Sequence, residues 1–307
     1  SSGYGFVRKY NSSGAVQWTE NYGNNKGESV NEIKIIDDRI FIMGSTVGSG
    51  FNNKTTPGVQ NVFVCEIEPD DGSILWTVIT GSSYQDTGYG MAIDLSNELI
   101  YVTGVYDTFA SSGEKKDFLS KITFSGAEKW LKTYTKTETG LGYALAVDKD
   151  GNIFASDTYE TTNQISKLDS QGAVSWNKTM KPDSGKYMSR HMVSDTLGNV
   201  YLTGTDTSPG SFKEDVFVFK YDSNGNRTYK TTMTAHIFDT LVYNADIDTE
   251  SHGTRIALDK NSNIIIAGRT YGLLNDADRD YPDYPNTDYE TKTSNEDMFV
   301  VLLQCEE

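Results

Sequence analysis

Residues 116–130 read Lys-Asp-Phe-Leu-Ser-Lys-Ile-Thr-Phe-Ser-Gly-Ala-Glu-Lys-Trp. A β-rich run, Phe118-Leu119-Ser120-Lys121, leads through a polar turn to Gly126 and then Trp130. The same spacing recurs as Gly14 with Trp18, Gly72 with Trp76, and Gly172 with Trp176, which accounts for all four tryptophans; Gly225 with Tyr229 keeps the aromatic character. A β-rich run stands upstream of every copy, at residues 6–10, 63–65, 118–121, 165–168 and 217–220. A sixth run, at 299–301, has no Gly-x-x-x-Trp after it.

A second pattern alternates with the first: an apolar strand ending in Asp, a polar turn, and another apolar strand usually closed by Gly. Its copies are 33–37 with 40–44, 91–94 with 99–104, 145–148 with 153–157, 192–195 with 200–204, and 256–259 with 264–268. The terminal aspartates are Asp37, Asp94, Asp148, Asp195 and Asp259. Short strands at this spacing, joined by turn residues, predict one antiparallel sheet per repeat with strands A (to the Asp), B (to the Gly), C (before the turn) and D (carrying the Trp). Four-stranded sheets repeated every ~45–60 residues are the signature of β-propeller blades. A lone sheet of this kind leaves a face unburied, so neighbouring blades must pack face to face. Trp18, Trp76, Trp130, Trp176 and Tyr229 are therefore expected between blades rather than on a ligand.

The expected fold is an all-β propeller of four-stranded antiparallel blades in a single domain over 1–307. Its repeat units are 29–81, 88–136, 142–182, 188–234, and 253–307 completed by 1–23. The chain opens with strands C and D and finishes with A, B and C. Mixing the N- and C-terminal strands in one sheet closes five blades with one C strand to spare; six blades is the alternative.

Composition narrows the function classes. The chain has 307 residues, 43 Asp and Glu against 27 Lys and Arg, and a net charge of −16. Such a charge repels a phosphate backbone, so nucleic acid is not an expected partner. No apolar run approaches the ~18 residues of a spanning helix. The sequence begins at Ser1, which we read as a processed form or a segment of something longer, secreted or on the cell surface. Asn-x-Ser/Thr acceptors at Asn11, Asn53, Asn177 and Asn226 permit glycosylation. Cys65 and Cys305 do not make a disulfide framework; they read as a buried thiol and a loose terminal one, or else as a clasp or a bridge to another chain.

Residues 56–60, Thr-Pro-Gly-Val-Gln, ahead of Val62-Phe63-Val64, and Gly88-Tyr89-Gly90-Met91-Ala92-Ile93-Asp94 ahead of Ile100-Tyr101-Val102-Thr103-Gly104, resemble the bacterial-type beta-propeller repeat of secreted and cell-surface proteins. The resemblance extends over 6–304. It implies an extracellular propeller module, usually without an assigned reaction, and transfers no catalytic residues. The Gly-x-x-x-Trp element is also similar to the repeats of quinoprotein dehydrogenases, which bind pyrroloquinoline quinone, but no cofactor constellation accompanies it here.

The candidate for site chemistry is Asp276, Asp278, Asp280 and Asp283 in the long connection 271–296, with Asp288 and Glu290 nearby. Alternating carboxylates can converge on a hard cation such as Ca2+. The loop lacks the sixth-position Gly and twelfth-position Glu of a helix-loop-helix calcium site, having Tyr281 and Thr287, and a solvated acidic loop is the competing reading. The strand-end aspartates, and Asp148-Lys149-Asp150-Gly151-Asn152, read as turn caps. His191, His236 and His252 show no metal-ligand spacing, and no nucleophile elbow, phosphate loop or His-Glu-x-x-His occurs. We therefore expect no catalytic residues and a non-catalytic extracellular or cell-surface module for adhesion or assembly with other protein chains, as part of a larger protein or filament. The alternative is a carbohydrate-binding, lectin-like propeller recognising extracellular glycans, and after it an enzyme with its site at the propeller axis.

Overall fold

The computed structural model describes residues 3–48, 50–106, 116–135, 141–157, 163–180, 186–207, 214–233, 235–236, 251–259, 261–270, 273–274 and 297–303. It divides into two compact units, Ser1–Thr179 and Met180–Glu307, with the boundary falling between repeats.

In the first unit, β1 (Gly5–Tyr10) and β2 (Val16–Tyr22) form a two-stranded hairpin. Three four-stranded sheets follow, each in chain order. They are β3 (Ser29–Ile36), β4 (Arg39–Val47), β5 (Gln60–Ile67) and β6 (Ile74–Thr80); β7 (Thr87–Asp94), β8 (Leu99–Tyr106), β9 (Lys116–Thr123) and β10 (Glu128–Thr135); and β11 (Ala144–Val147), β12 (Ile153–Ser156), β13 (Gln164–Leu168) and β14 (Val174–Thr179). The second unit holds a fourth such sheet, of β15 (Lys186–Ser194), β16 (Val200–Thr207), β17 (Glu214–Tyr221) and β18 (Arg227–Met233). After it come β19 (Ala235–His236), β20 (Ser251–Leu258), β21 (Ile264–Thr270), β22 (Leu273–Leu274) and β23 (Asp297–Leu303). Strands β20, β21 and β23 make a three-stranded sheet, and β19 pairs with β22. Five antiparallel repeat sheets are thus present, consistent with five blades, and β1 pairs only with β2 among the described residues.

The glycines and strand-end aspartates that mark the repeat each have a physical cause. The C–D hairpin glycines Gly14, Gly72, Gly126, Gly172 and Gly225 all sit at φ between 78° and 81°, the left-handed region that penalises any Cβ. The turn before them is held by a side chain: Asn11, Asp169 and Asp222 each accept backbone N–H groups two and four residues on, at 2.8–3.0 Å. Strand-end aspartates do the same at the A–B turns. Asp148 accepts from the Asp150 and Asn152 amides, Asp195 from Leu197 and Asn199, and Asp259 from Asn261 and Asn263. Asp37 and Asp38 instead form a two-residue turn with φ of 46° and 63°.

The glycine closing strand B is explained by crowding. Strand A bulges opposite it, between Val30 and Glu32, Gly88 and Gly90, and Ser189 and His191. A Cβ on Gly44, Gly104 or Gly204 would run into the bulged strand's carbonyl (Ser29, Thr87, Met188) and the ring of Phe63, Phe118 or Phe217.

Adjacent sheets of the first unit share cores. Phe41, Met43, Val62, Val64 and Val78 of one sheet pack with Met91, Ile100, Val102, Phe118 and Ile122 of the next. Ala92, Tyr101 and Leu119 then pack with Leu145, Ile153, Ala155 and Leu168. The tryptophans join the hairpins: Trp18 lies 2.8 Å from where a Cβ of Gly72 would stand, Trp76 2.7 Å from that of Gly126, and Trp130 3.2 Å from that of Gly172. Trp176 meets Phe154 edge-on at 6.1 Å, whereas Tyr229 is exposed. Cys65 is a buried free thiol pushed up to about 12 by burial; Cys305 lies outside the described residues.

Candidate functional site

The loop carrying Asp276, Asp278, Asp280, Asp283, Asp288 and Glu290 lies outside the described residues, so it contributes no geometry. Among the described residues no three His, Cys, Asp or Glu side chains group as metal ligands. Asp94, Asp148, Asp195 and Asp259 spend their oxygens on turn amides, and the Nδ2 groups of Asn152, Asn199 and Asn263 add to the last three at 2.8 Å. His191 Nδ1 accepts the Ile256 amide at 3.4 Å.

The repeated charged position of strand C is likewise engaged in packing. Lys9, Glu66, Lys121, Lys167 and Lys220 stand directly opposite Trp18, Trp76, Trp130, Trp176 and Tyr229. Lys121 Nζ lies 5.6 Å from the centre of the Tyr101 ring and 5.9 Å from that of Trp130, and donates to the Ser170 carbonyl at 2.9 Å. Burial lowers its pKa and raises that of the Tyr101 hydroxyl to about 12. Lys167 over Phe154 and Lys220 over Tyr201 repeat the contact at 5.3 and 5.1 Å.

Among the described residues of the first unit, two features suit a partner. The first is an apolar face. Register places Ile33, Met91, Leu145, Met192 and Ile256 at one equivalent position of strand A, opposite Ile42, Val102, Ala155, Leu202 and Ile266. Four of the five are 3% exposed or less, whereas Ile33 is 43% and its neighbour Ile35 is 67% exposed. Met91 is covered by Phe41 and Met43 of the preceding strand B. On the sheet of Ile33, Val7 of β1 and Trp18 of β2 reach the core beside Ile40, Ile42 and Phe63, but no strand pairs with the outer edge of β1 among the described residues.

The second feature is a cavity of about 390 Å³ lined by Glu20, Asn21, Tyr22, Gly23 and Asn24, by Phe51, Asn52 and Asn53, and by Gly72, Ser73 and Ile74. Its floor is apolar, with Tyr22 and Phe51 buried. The Tyr22 hydroxyl donates to the Gly72 carbonyl at 2.7 Å, and burial, then the Glu20 charge, raise its pKa, which keeps the floor neutral. Asn52 and Asn53 sit at φ of 44° and 58° in the turn closed by Phe51 and Lys54, whose backbones exchange two 2.9 Å hydrogen bonds. Asparagine tolerates this region better than other residues with a side chain. The Asn52 Nδ2 donates to Thr77 Oγ1 at 2.8 Å and the Asn24 Nδ2 to the Gly50 carbonyl, while Asn21 and Asn53 make no side-chain hydrogen bond among the described residues.

The glycosylation acceptors differ in setting. Asn11 and Asn226 are exposed but engaged in hairpin turns, Asn53 is exposed and uncommitted, and Asn177 is half-buried with its Nδ2 donating to Gln164 at 2.7 Å.

No protein-family model and no curated protein sequence matches the chain. Among solved structures it is similar to a protein from Lactobacillus plantarum, at 15% identity and a TM-score of 0.53 over 88% of this chain and 76% of that one. It is also similar to a europium-containing methanol dehydrogenase, at 8% identity and a TM-score of 0.51 over 88% and 70%. The Dos1 propeller aligns at 12% identity and a TM-score of 0.47 over 87% of this chain, which spans 62% of the length of that one. At these identities the likeness is one of fold, and together with the repeat sheets it makes the protein an all-β propeller of antiparallel blades.

Proposed function

We propose that the protein is a non-catalytic extracellular or cell-surface propeller that assembles with a separate protein chain by strand addition at β1. The observation that carries this reading is the exposure of Ile33 and Ile35 where equivalent residues are covered. What covers Met91 defines the chemistry of the partner: a strand pair placing large apolar side chains at alternate positions, as Phe41 and Met43 do. Backbone hydrogen bonds to the open edge of β1 would supply affinity, and alternate side chains specificity. Phe6 and Tyr10, exposed on the opposite face of β1, extend the apolar surface available around that edge.

The probe is a synthetic peptide of residues 29–47, the strand A–B hairpin of this chain, titrated into the protein while hydrogen exchange is followed at β1. Binding that protects the β1 amides and is lost in Ile35→Asp is the expected result. No binding, or β1 amides already protected in the isolated monomer at every concentration, overturns the reading, because the edge is then filled by the chain itself.

A further inference from the structure

We propose that the cavity between β2, the Phe51–Lys54 turn and the β5–β6 hairpin binds a neutral saccharide. This inference stands apart from strand addition at β1 and uses none of its residues.

The chemistry of the lining selects the ligand class. One whole amide, that of Asn53, lines the site beside Asn24 and Asn52, each of which has a carbonyl left over because its Nδ2 group is held by Gly50 or Thr77. An amide donates and accepts side by side, which matches a hydroxyl group's need for both. Glu20 adds a carboxylate able to accept from two adjacent hydroxyls, and Ser73 lies at the same rim. A polyol ring satisfies such a set. An anion would meet Glu20 and a chain of net charge −16, and a large apolar ligand would bury amides without partners.

The volume, about 390 Å³, lies at the small end of ligand sites. It suits one or two sugar rings better than a long chain. The turn fixes two of the amides in advance: the left-handed φ of Asn52 and Asn53 and the paired backbone hydrogen bonds of Phe51 and Lys54 hold their Cα positions before any ligand arrives. The two aromatic residues of the lining offer no face for stacking, since Tyr22 and Phe51 are both buried and Phe51 is itself stacked on Phe63 at 4.2 Å. Affinity is therefore expected in the ~mM range, resting on hydrogen bonds alone.

Asn53 is itself a glycosylation acceptor, so the test uses protein made in a host without N-glycosylation. Saturation-transfer NMR is run against glucose, galactose, mannose, N-acetylglucosamine and their β-linked disaccharides, with glucose 6-phosphate as the anionic control. Transfer to at least one neutral sugar is expected, with weaker transfer to the phosphate. Asn53→Gly keeps the left-handed backbone while removing the amide, and should weaken binding about tenfold, the loss of ~1.4 kcal/mol. Ser73→Trp, at an exposed rim position, should block the cavity with an unchanged thermal midpoint. Absence of transfer from every neutral sugar at about 20 mM overturns the inference. So does binding that survives both substitutions.

Discussion

Arg39 grips Glu66 with two hydrogen bonds of 2.6 and 2.7 Å, at the strand C position where three other sheets place a lysine over a ring. Its guanidinium lies 5.1 Å from the centre of the Phe41 ring and 4.7 Å from that of Phe124, and donates to the Phe124 carbonyl in the next sheet. Glu66 also accepts the Trp76 indole N–H at 2.7 Å. The cation has moved from strand C to the start of strand B, and a carboxylate in its old place anchors it.

Removing one partner should therefore cost more than a surface pair would. Arg39→Met leaves Glu66 largely buried with the Trp76 N–H as its remaining side-chain partner. Because Arg39 is partly solvated, we expect a loss of about 2 kcal/mol, below that of a fully buried pair. Arg39→Met with Glu66→Lys should recover part of it by restoring the lysine pattern. Urea denaturation of the single and double variants checks this.

The joint between Trp76 and Gly126 predicts a second loss. Gly126→Ala combines a left-handed φ of 78° with a Cβ only 2.7 Å from the indole. A destabilisation of about 2–3 kcal/mol is expected. Gly14→Ala has φ of 81° and nothing within 4 Å. It should show the smaller backbone cost alone, about 1 kcal/mol. Comparing the two midpoints separates the ring contact from the turn.

Asp206 and Asp215 face each other across β16 and β17, each with one buried oxygen that has no hydrogen-bond partner among the described residues. Burial raises the Asp206 pKa; Asp215 adds to the shift and Lys230 opposes it. A carboxyl whose folded pKa is raised contributes stability that is present below its unfolded pKa and is lost as pH rises through the folded one. Asp206→Asn should therefore stabilise the protein more at pH ~7 than at pH ~3. Thermal midpoints at the two pH values decide the sign.

Cys65 should be silent to thiol reagents in the native state, because its pKa of about 12 and its burial leave almost no thiolate. Labelling is expected only as fast as the first unit opens, which a denaturant series of labelling rates would report.

In a glycosylating host, peptide mapping should find Asn53 modified and Asn177 bare. The first amide is exposed and uncommitted, and the second is half-buried and hydrogen-bonded to Gln164.

The repeat was legible because its two glycine positions answer to local causes. A left-handed turn and a bulge under a Phe ring admit no other residue cheaply, so Gly72 and Gly104 mark their hairpins in the sequence itself. The cavity was not legible. Its lining comes from 20–24, 51–53 and 72–74, which share no period, and the asparagines of the first two segments read first as turn residues. Nor does sequence separate Ile33 from Met91 or Leu145, since burial at that position depends on the sheet laid over it. The acidic run at 276–283, the sequence's candidate for a cation site, lies outside the described residues.

Each tryptophan stands four residues from a glycine of its own unit, yet Trp18, Trp76 and Trp130 touch the glycine of the following one. Both halves of the joint are thus encoded together in a stretch shorter than a single blade. Tandem duplication of such a unit brings a matched plug and socket with it, and the new copy fits its neighbours on either side without further change. A lineage built this way can lengthen or shorten by whole blades while its individual sequences drift far apart.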